Sequence, residues 1–201
     1  MDEKVYPMFT MSRGVKPMYN GRERTKEEAR LYYDVFMGLW PMRILCLLSW
    51  HQEMITDDPV VDLLRIGEKV AKYVSRPEFH YFKKVELQLS EKHVHREDVL
   101  HIYDNPASMG IDMGFLLALF LLQLDSPEIK WNMNTRGKNT PDLNQVVVLG
   151  PGVSRFEPIY QSMGWCESIA KGRRSHRIWS EYYLMWIDML EGREPRSLRG
   201  V

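Results

Sequence analysis

Apolar side chains in this chain recur at steps of three and four, and most such runs follow a helix-start signal; that coincidence restricts the fold more than any other feature. Thr25 stands three residues before Glu28, the spacing of a capping box, and Ala29, Tyr32, Phe36 and Trp40 follow along one helical face. Asp58 precedes Pro59, which places a capping carboxylate ahead of a proline at the first helical position. Val60, Leu63, Leu64, Gly67, Ala71 and Val74 then continue at helical spacing. Ser154 and Glu157 repeat the box ahead of Phe156, Ile159, Tyr160, Met163 and Ala170, with Gly172 as C-terminal cap. A last helix is expected from about Ser175 to Leu190, burying Ile178, Tyr182, Trp186, Met189 and Leu190, with Gly192 closing it.

Other stretches are less regular. Pro41 is expected to end the first helix or start the next, and Met42 to about Ile55 to form an element buried on several sides. Ser75 to Glu78 and Asn105-Pro106 read as further helix starts, and 96–103 as a short helix. Val85 to Leu89 alternates apolar and polar residues and fits a strand or a longer helix. Phe115 to Leu122 is wholly apolar, far shorter than the ~20 residues a bilayer span needs, and flanked by Asp112 and Asp125. It reads as a buried core helix. Gln145 to Leu149, β-branched and bounded by turn residues, is the best strand. The expected fold is mainly α, a compact bundle-like array of about seven helices with at most a small two-stranded β-ribbon. Residues 1–24 are expected to form an irregular arm, 25–192 a single helical domain, and 193–201 a frayed tail.

Charge narrows the choice of partner. The 201 residues carry 27 basic and 27 acidic side chains, whereas nucleic-acid affinity draws on a basic excess. The densest basic group, Lys171, Arg173, Arg174 and Arg177 around His176, reads as a solvated helix junction. Cys46 and Cys166 make no disulfide framework, so a reducing, cytoplasmic setting is expected. Asp2 and Glu3, without an apolar run before Lys16, do not resemble a secretory signal, and no membrane association is expected.

Four groups could carry chemistry. His93, His95, Glu97, Asp98 and His101 are the densest metal-capable set, with Glu97 and Asp98 on the helical face of His101. A bundle metal site needs matching motifs on separate helices, and no second copy exists, so no metal or other cofactor is expected. Gly150-Pro151-Gly152 lies where phosphates bind between strand and helix, yet Pro151 removes a donor and Arg155 stands where a third glycine would be. Cys166 and His176 lack any nucleophile elbow, and Cys166 is better explained as a helix position. The turn-rich segment 125–144 is unusually long for a connection, and such segments are often functional. Trp131, Met133, Arg136 and Lys138 within it are the candidate partner-binding residues; alternatively, Trp131 and Met133 simply pin the segment to the body. The functional expectation is a protein-interaction domain that acts by steric occlusion of a partner, as an inhibitor, immunity-type antitoxin or adaptor. The alternative is an enzyme or small-ligand binder with a pocket assembled from distant helices.

Overall fold

The computed structural model describes residues 6–7, 25–76, 105–135, 143–152 and 154–198. Among these the chain is mainly helical, with α1 (Lys26–His51), α2 (Pro59–Val74), α3 (Asn105–Leu122), α4 (Pro158–Ala170) and α5 (Ile178–Leu190). Between α3 and α4 lie β1 (Lys130–Met133), β2 (Val146–Leu149) and β3 (Arg155–Phe156), which form an antiparallel sheet in the order β1-β2-β3. The described helices therefore number five, not about seven, and the sheet has three strands where a two-stranded ribbon was the most expected. The helix at 96–103 and the ambiguous Val85 to Leu89 lie outside the described residues. Ser75 is the C-cap of α2, and the helix start expected over Ser75 to Glu78 runs into residues outside the described ones.

Three helix starts fall where the sequence places them: α3 opens at Asn105, and α1 and α2 obey their capping signals. The Glu28 N–H donates to Thr25 Oγ1 and the Thr25 N–H to the Glu28 carboxylate, completing the capping box. The Asp58 carboxylate accepts from the N–H groups of Val60 and Val61. Pro41, however, does not end α1, which runs on as one element of 26 residues. A proline inside a helix costs about 3 kcal/mol. Pro41 faces solvent, where water can hydrate the carbonyl it leaves unpaired. Beyond it, Ile44, Leu47 and Leu48 extend the buried face of Ala29, Tyr32 and Phe36, and that burial outweighs the local cost.

The box at Ser154 is also overridden. Residues 155 and 156 pair with β2, Phe156 opposite Val148 and Arg155 opposite Leu149. Glu157 is the true N-cap of α4, accepting from the N–H groups of Ile159 and Tyr160, with Pro158 opening the helix. The last helix starts at Ile178, about three residues later than its spacing implied. Gly172 and Gly192, at φ 64° and 69°, close α4 and α5 as expected. The following N–H groups, of Arg173 and Arg193, reach back 2.8 Å to the carbonyls of Ser168 and Asp188.

α3 is the axis of the core. Its residues Met109, Ile111, Met113 and Phe115 to Ala118 are fully buried, and α1, α2, α4, α5 and β2 all pack on it. Gly110 and Gly114 let α4 come close. A Cβ at Gly114 would stand 2.1 Å from the Pro158 carbonyl oxygen, and one at Gly110 2.9 Å from Cys166 Sγ. α1 differs from α3: it is long and apolar enough to cross a membrane by length and composition, but only 22% of its most apolar window is buried.

Candidate functional site

β1 is an edge strand, pairing with β2 from Lys130 opposite Leu149 to Met133 opposite Val146. The ladder continues one step: the Asn134 N–H donates to the Gln145 carbonyl at 3.0 Å. Backbone polar groups in such a ladder alternate sides. Lys130, Asn132 and Asn134 therefore turn theirs toward β2, and Trp131 and Met133 turn theirs to the open edge, where no described strand pairs.

A cleft of ≈ 690 Å³ lies beside this edge. One wall is the first turns of α1, with Lys26, Ala29, Arg30 and Tyr33; the other is Trp131, Asn132, Met133 and Thr135, with Leu143 and Asn144 at the far end. Side chains of successive strand residues alternate faces, so a cleft touching 131, 132 and 133 together meets the strand along its edge. The Trp131 indole packs edge-on against Phe36 at 5.2 Å between ring centroids and tilts against Trp40 at 5.5 Å. Its Nε1–H is buried without an acceptor among the described residues, so packing alone fixes the ring.

The rim is cationic. Lys26 and Arg30, one helical turn apart, are both exposed, and the N-terminus of α1 adds partial positive charge. The described lining holds no carboxylate, imidazole or thiol. Aromatic and apolar walls, amide side chains, an open backbone edge and two cations form a surface suited to recognition.

Two of the four candidate binding residues, Trp131 and Met133, thus meet at one cleft; Arg136 and Lys138 lie outside the described residues. Trp131 and Met133 belong to a strand, not to an irregular loop, and both also pack on the core, so wall and anchor are one role. Lys26, Arg30, Tyr33, Asn132, Thr135, Leu143 and Asn144 were not anticipated. A Lys-Arg pair at helical spacing was visible, but nothing local pairs it with residues a hundred positions away.

The remaining candidates resolve differently. His93, His95, Glu97, Asp98 and His101 lie outside the described residues; among the described ones no group of three metal-capable side chains forms. At Gly150-Pro151-Gly152 the donors are already used: the Gly150 N–H bonds the Ser154 carbonyl at 3.0 Å, and the Gly152 N–H bonds the Glu128 carboxylate at 3.2 Å. A carboxylate stands there in place of a phosphate. Cys166 is buried against Gly110. Lys171, Arg173, Arg174 and Arg177 form the junction of α4 and α5, with Lys171 paired to Glu167.

Two carboxylates among the described residues are fully buried: Asp62, held by Thr56 and Arg65 near the start of α2, and Asp112. Asp112, in α3, accepts from Arg43 Nε at 2.8 Å, from Arg43 Nη2 at 2.7 Å, and from the Tyr6 hydroxyl. Burial raises its carboxyl to about 6, against the opposing pull of Arg43 and Tyr6. Burial and the neighbouring carboxylate push the Tyr6 hydroxyl far above its ordinary range. Arg43 also donates to the Pro7 carbonyl, and the Tyr6 N–H to the Tyr73 hydroxyl, so residues 6–7 are fixed on α1, α2 and α3. With Tyr6 itself only 1% exposed, this assembly is closed to ligands and serves attachment. Comparison with protein-family models, curated proteins and solved structures finds no match.

Proposed function

We propose that the protein is a protein-binding module that receives an extended segment of a partner in the cleft and, by covering that segment, blocks its other contacts. One observation carries this reading: an open strand edge and a cationic, aromatic-walled cleft share the same boundary. A chain laid along β1 gains main-chain hydrogen bonds from Trp131 and Met133, and the pockets beside it read alternate side chains. Lys26 and Arg30 favour acidic residues in that segment, while Tyr33, Met133 and Leu143 offer apolar contact. β1 is four residues long, so main-chain pairing is short and the side-chain contacts carry most of the selectivity.

The test is capture from the native host with the intact chain, followed by binding to acidic peptides derived from the captured partner. Charge reversal of both Lys26 and Arg30 to Glu is expected to weaken binding at least tenfold, about 1.4 kcal/mol, with unchanged unfolding temperature. Met133→Pro removes the N–H turned to the open edge together with the side chain, so it should abolish pairing, and Met133→Ala, which loses the side chain but keeps that N–H, should retain it. Binding indifferent to the charge reversal and to Met133→Pro would reject the reading, as would recovery of no stoichiometric partner alongside turnover of a metabolite. A second reading draws on the cleft volume, which lies within the roughly 300–1,000 Å³ of small-molecule sites. A planar anion would then raise the unfolding temperature in a Lys26- and Arg30-dependent way without any protein partner.

A further inference from the structure

α1 buries one face and leaves the opposite one bare. Leu31, Met42 and Leu45 are 49%, 64% and 57% exposed, three of the five large apolar residues so exposed among the described ones. With half-buried Val35 and exposed Gly38 and Ser49 they fall at 31, 35, 38, 42, 45 and 49, an alternation of four and three. That is the spacing of a helix-pairing seam. The seam is also symmetric. Leu31 and Leu45 each lie seven residues from Gly38, with Val35 and Met42 three and four residues to either side of it. A Cβ at Gly38 would meet nothing within 4 Å, so the backbone is bare at the centre of symmetry.

We infer that α1 pairs with α1 of a second copy of this chain, antiparallel and crossing at Gly38, with Leu31 of one copy resting on Leu45 of the other. A two-fold axis requires that if residue i meets j, then j meets i. The placement of 31 and 45 about 38 meets that requirement within one helix. The absent side chain at 38 allows the backbones their closest approach where a crossing pair needs it. A bilayer is the competing cover for an apolar helix of this length. Exposed Glu27 and Asp34 border the stripe, however, and repel anionic headgroups, while the other face of α1 is committed to the core. The seam spans about 27 Å and buries on the order of 1,000 Å² in total, the low end for specific association, so the dimer is weak and concentration-dependent. Lys26, Arg30 and Tyr33 lie about 120° around α1 from the seam, so both clefts stay open in the dimer.

The experiment is sedimentation equilibrium of the intact chain over a hundredfold concentration range. The wild type should pass from monomer to dimer. Leu45→Glu, at an exposed position, should raise the dissociation constant at least tenfold without changing the circular dichroism spectrum or the unfolding temperature. Orientation is read by cross-linking: a mixture of Leu31→Cys and Leu45→Cys chains should form the disulfide, and neither alone should exceed the wild type. A wild type that stays monomeric throughout, or a dimer indifferent to Leu45→Glu, overturns the inference. So does self-cross-linking of Leu45→Cys alone, which would mean a parallel pair. Wild-type chain that pellets with anionic phosphatidylcholine/phosphatidylglycerol vesicles, when Leu45→Glu does not, would assign the stripe to lipid instead.

Discussion

A methyl group added at Gly114 would collide with main chain, not with a side chain able to swing aside. Its ideal position is 2.1 Å from the Pro158 carbonyl oxygen, 2.9 Å from the carbonyl carbon and 2.7 Å from Ser162 Oγ. Real Cβ contacts essentially never fall under 3.0 Å, so the first turn of α4 must retreat by roughly an ångström. That turn is held by the Glu157 cap and by β3 just before it, and its displacement also disturbs the Trp179 to Ser162 hydrogen bond. Two effects oppose each other. Alanine stabilises a helix interior by about 1 kcal/mol relative to glycine. Overpacking a core costs about 1–3 kcal/mol, and the upper end applies because α3 is enclosed on every side. The net expectation for Gly114→Ala is a loss of about 2 kcal/mol. In urea, with a slope of about 2 kcal/mol per molar, the midpoint followed by circular dichroism should fall by about 1 M. Gly164→Ala is the matched control: it is exposed, lies on α4 itself, and its added methyl meets nothing within 4 Å. It should gain up to about 1 kcal/mol. If Gly114→Ala instead rises with Gly164→Ala, the close approach of α3 and α4 is wrong.

Tyr6→Phe removes a donor to a buried carboxylate and should cost about 2 kcal/mol in the same urea titration; a loss near zero would mean that Tyr6 is not bonded to Asp112. Because the Asp112 carboxyl is raised to about 6, the folded chain holds that proton more tightly than the unfolded one. This group's contribution to stability is therefore largest below about pH 4 and declines as pH rises through 6, and Asp112→Asn should flatten that decline in unfolding curves measured at each pH. Asp188 is held down to about 2, by Arg196 first, although burial opposes this. Its stabilising effect is present above about pH 4 and lost as pH falls through 2. Asp188→Asn should release 193–198, read out as faster tryptic cleavage at Arg193 and Arg196; unchanged cleavage would deny the tether. Trp131→Phe deletes a buried, unpaired N–H while keeping ring contacts, so it should fall within about 1 kcal/mol of the wild type, whereas Trp131→Ala should lose about 3 kcal/mol in thermal unfolding.

The helices at Asp58 and Thr25 were legible because their caps and faces are local: a carboxylate or hydroxyl and the N–H groups two or three residues on. Pro41 misled because its cost is local and its compensation is not; the burial of Ile44, Leu47 and Leu48 depends on α3, which no nearby spacing reveals. Ser154 misled for a related reason. The same four residues fit a capping box and a β3 step followed by a Glu157 cap, and only pairing with Val148 and Leu149 decides between them. β1 carried a two-residue period, Lys130-Trp131-Asn132-Met133, hidden among turn-forming neighbours. The cleft was half visible. Trp131 stood out as an aromatic away from any periodic run, while Lys26 and Arg30 acquire meaning only when tertiary packing sets the start of α1 against β1.

Tyr6 and Asp112 are 106 residues apart. At ribosomal speeds of about 5–20 residues per second, the tyrosine is added to the chain on the order of 5–20 s before its acceptor. For the later part of that interval all of α1 has been made, its apolar sides lack the helix they will enclose, and Arg43 has no Asp112 to meet. The newborn chain therefore passes through a sticky, half-assembled stage whose duration is set by translation, and synonymous codons between 7 and 112 become a lever on its yield.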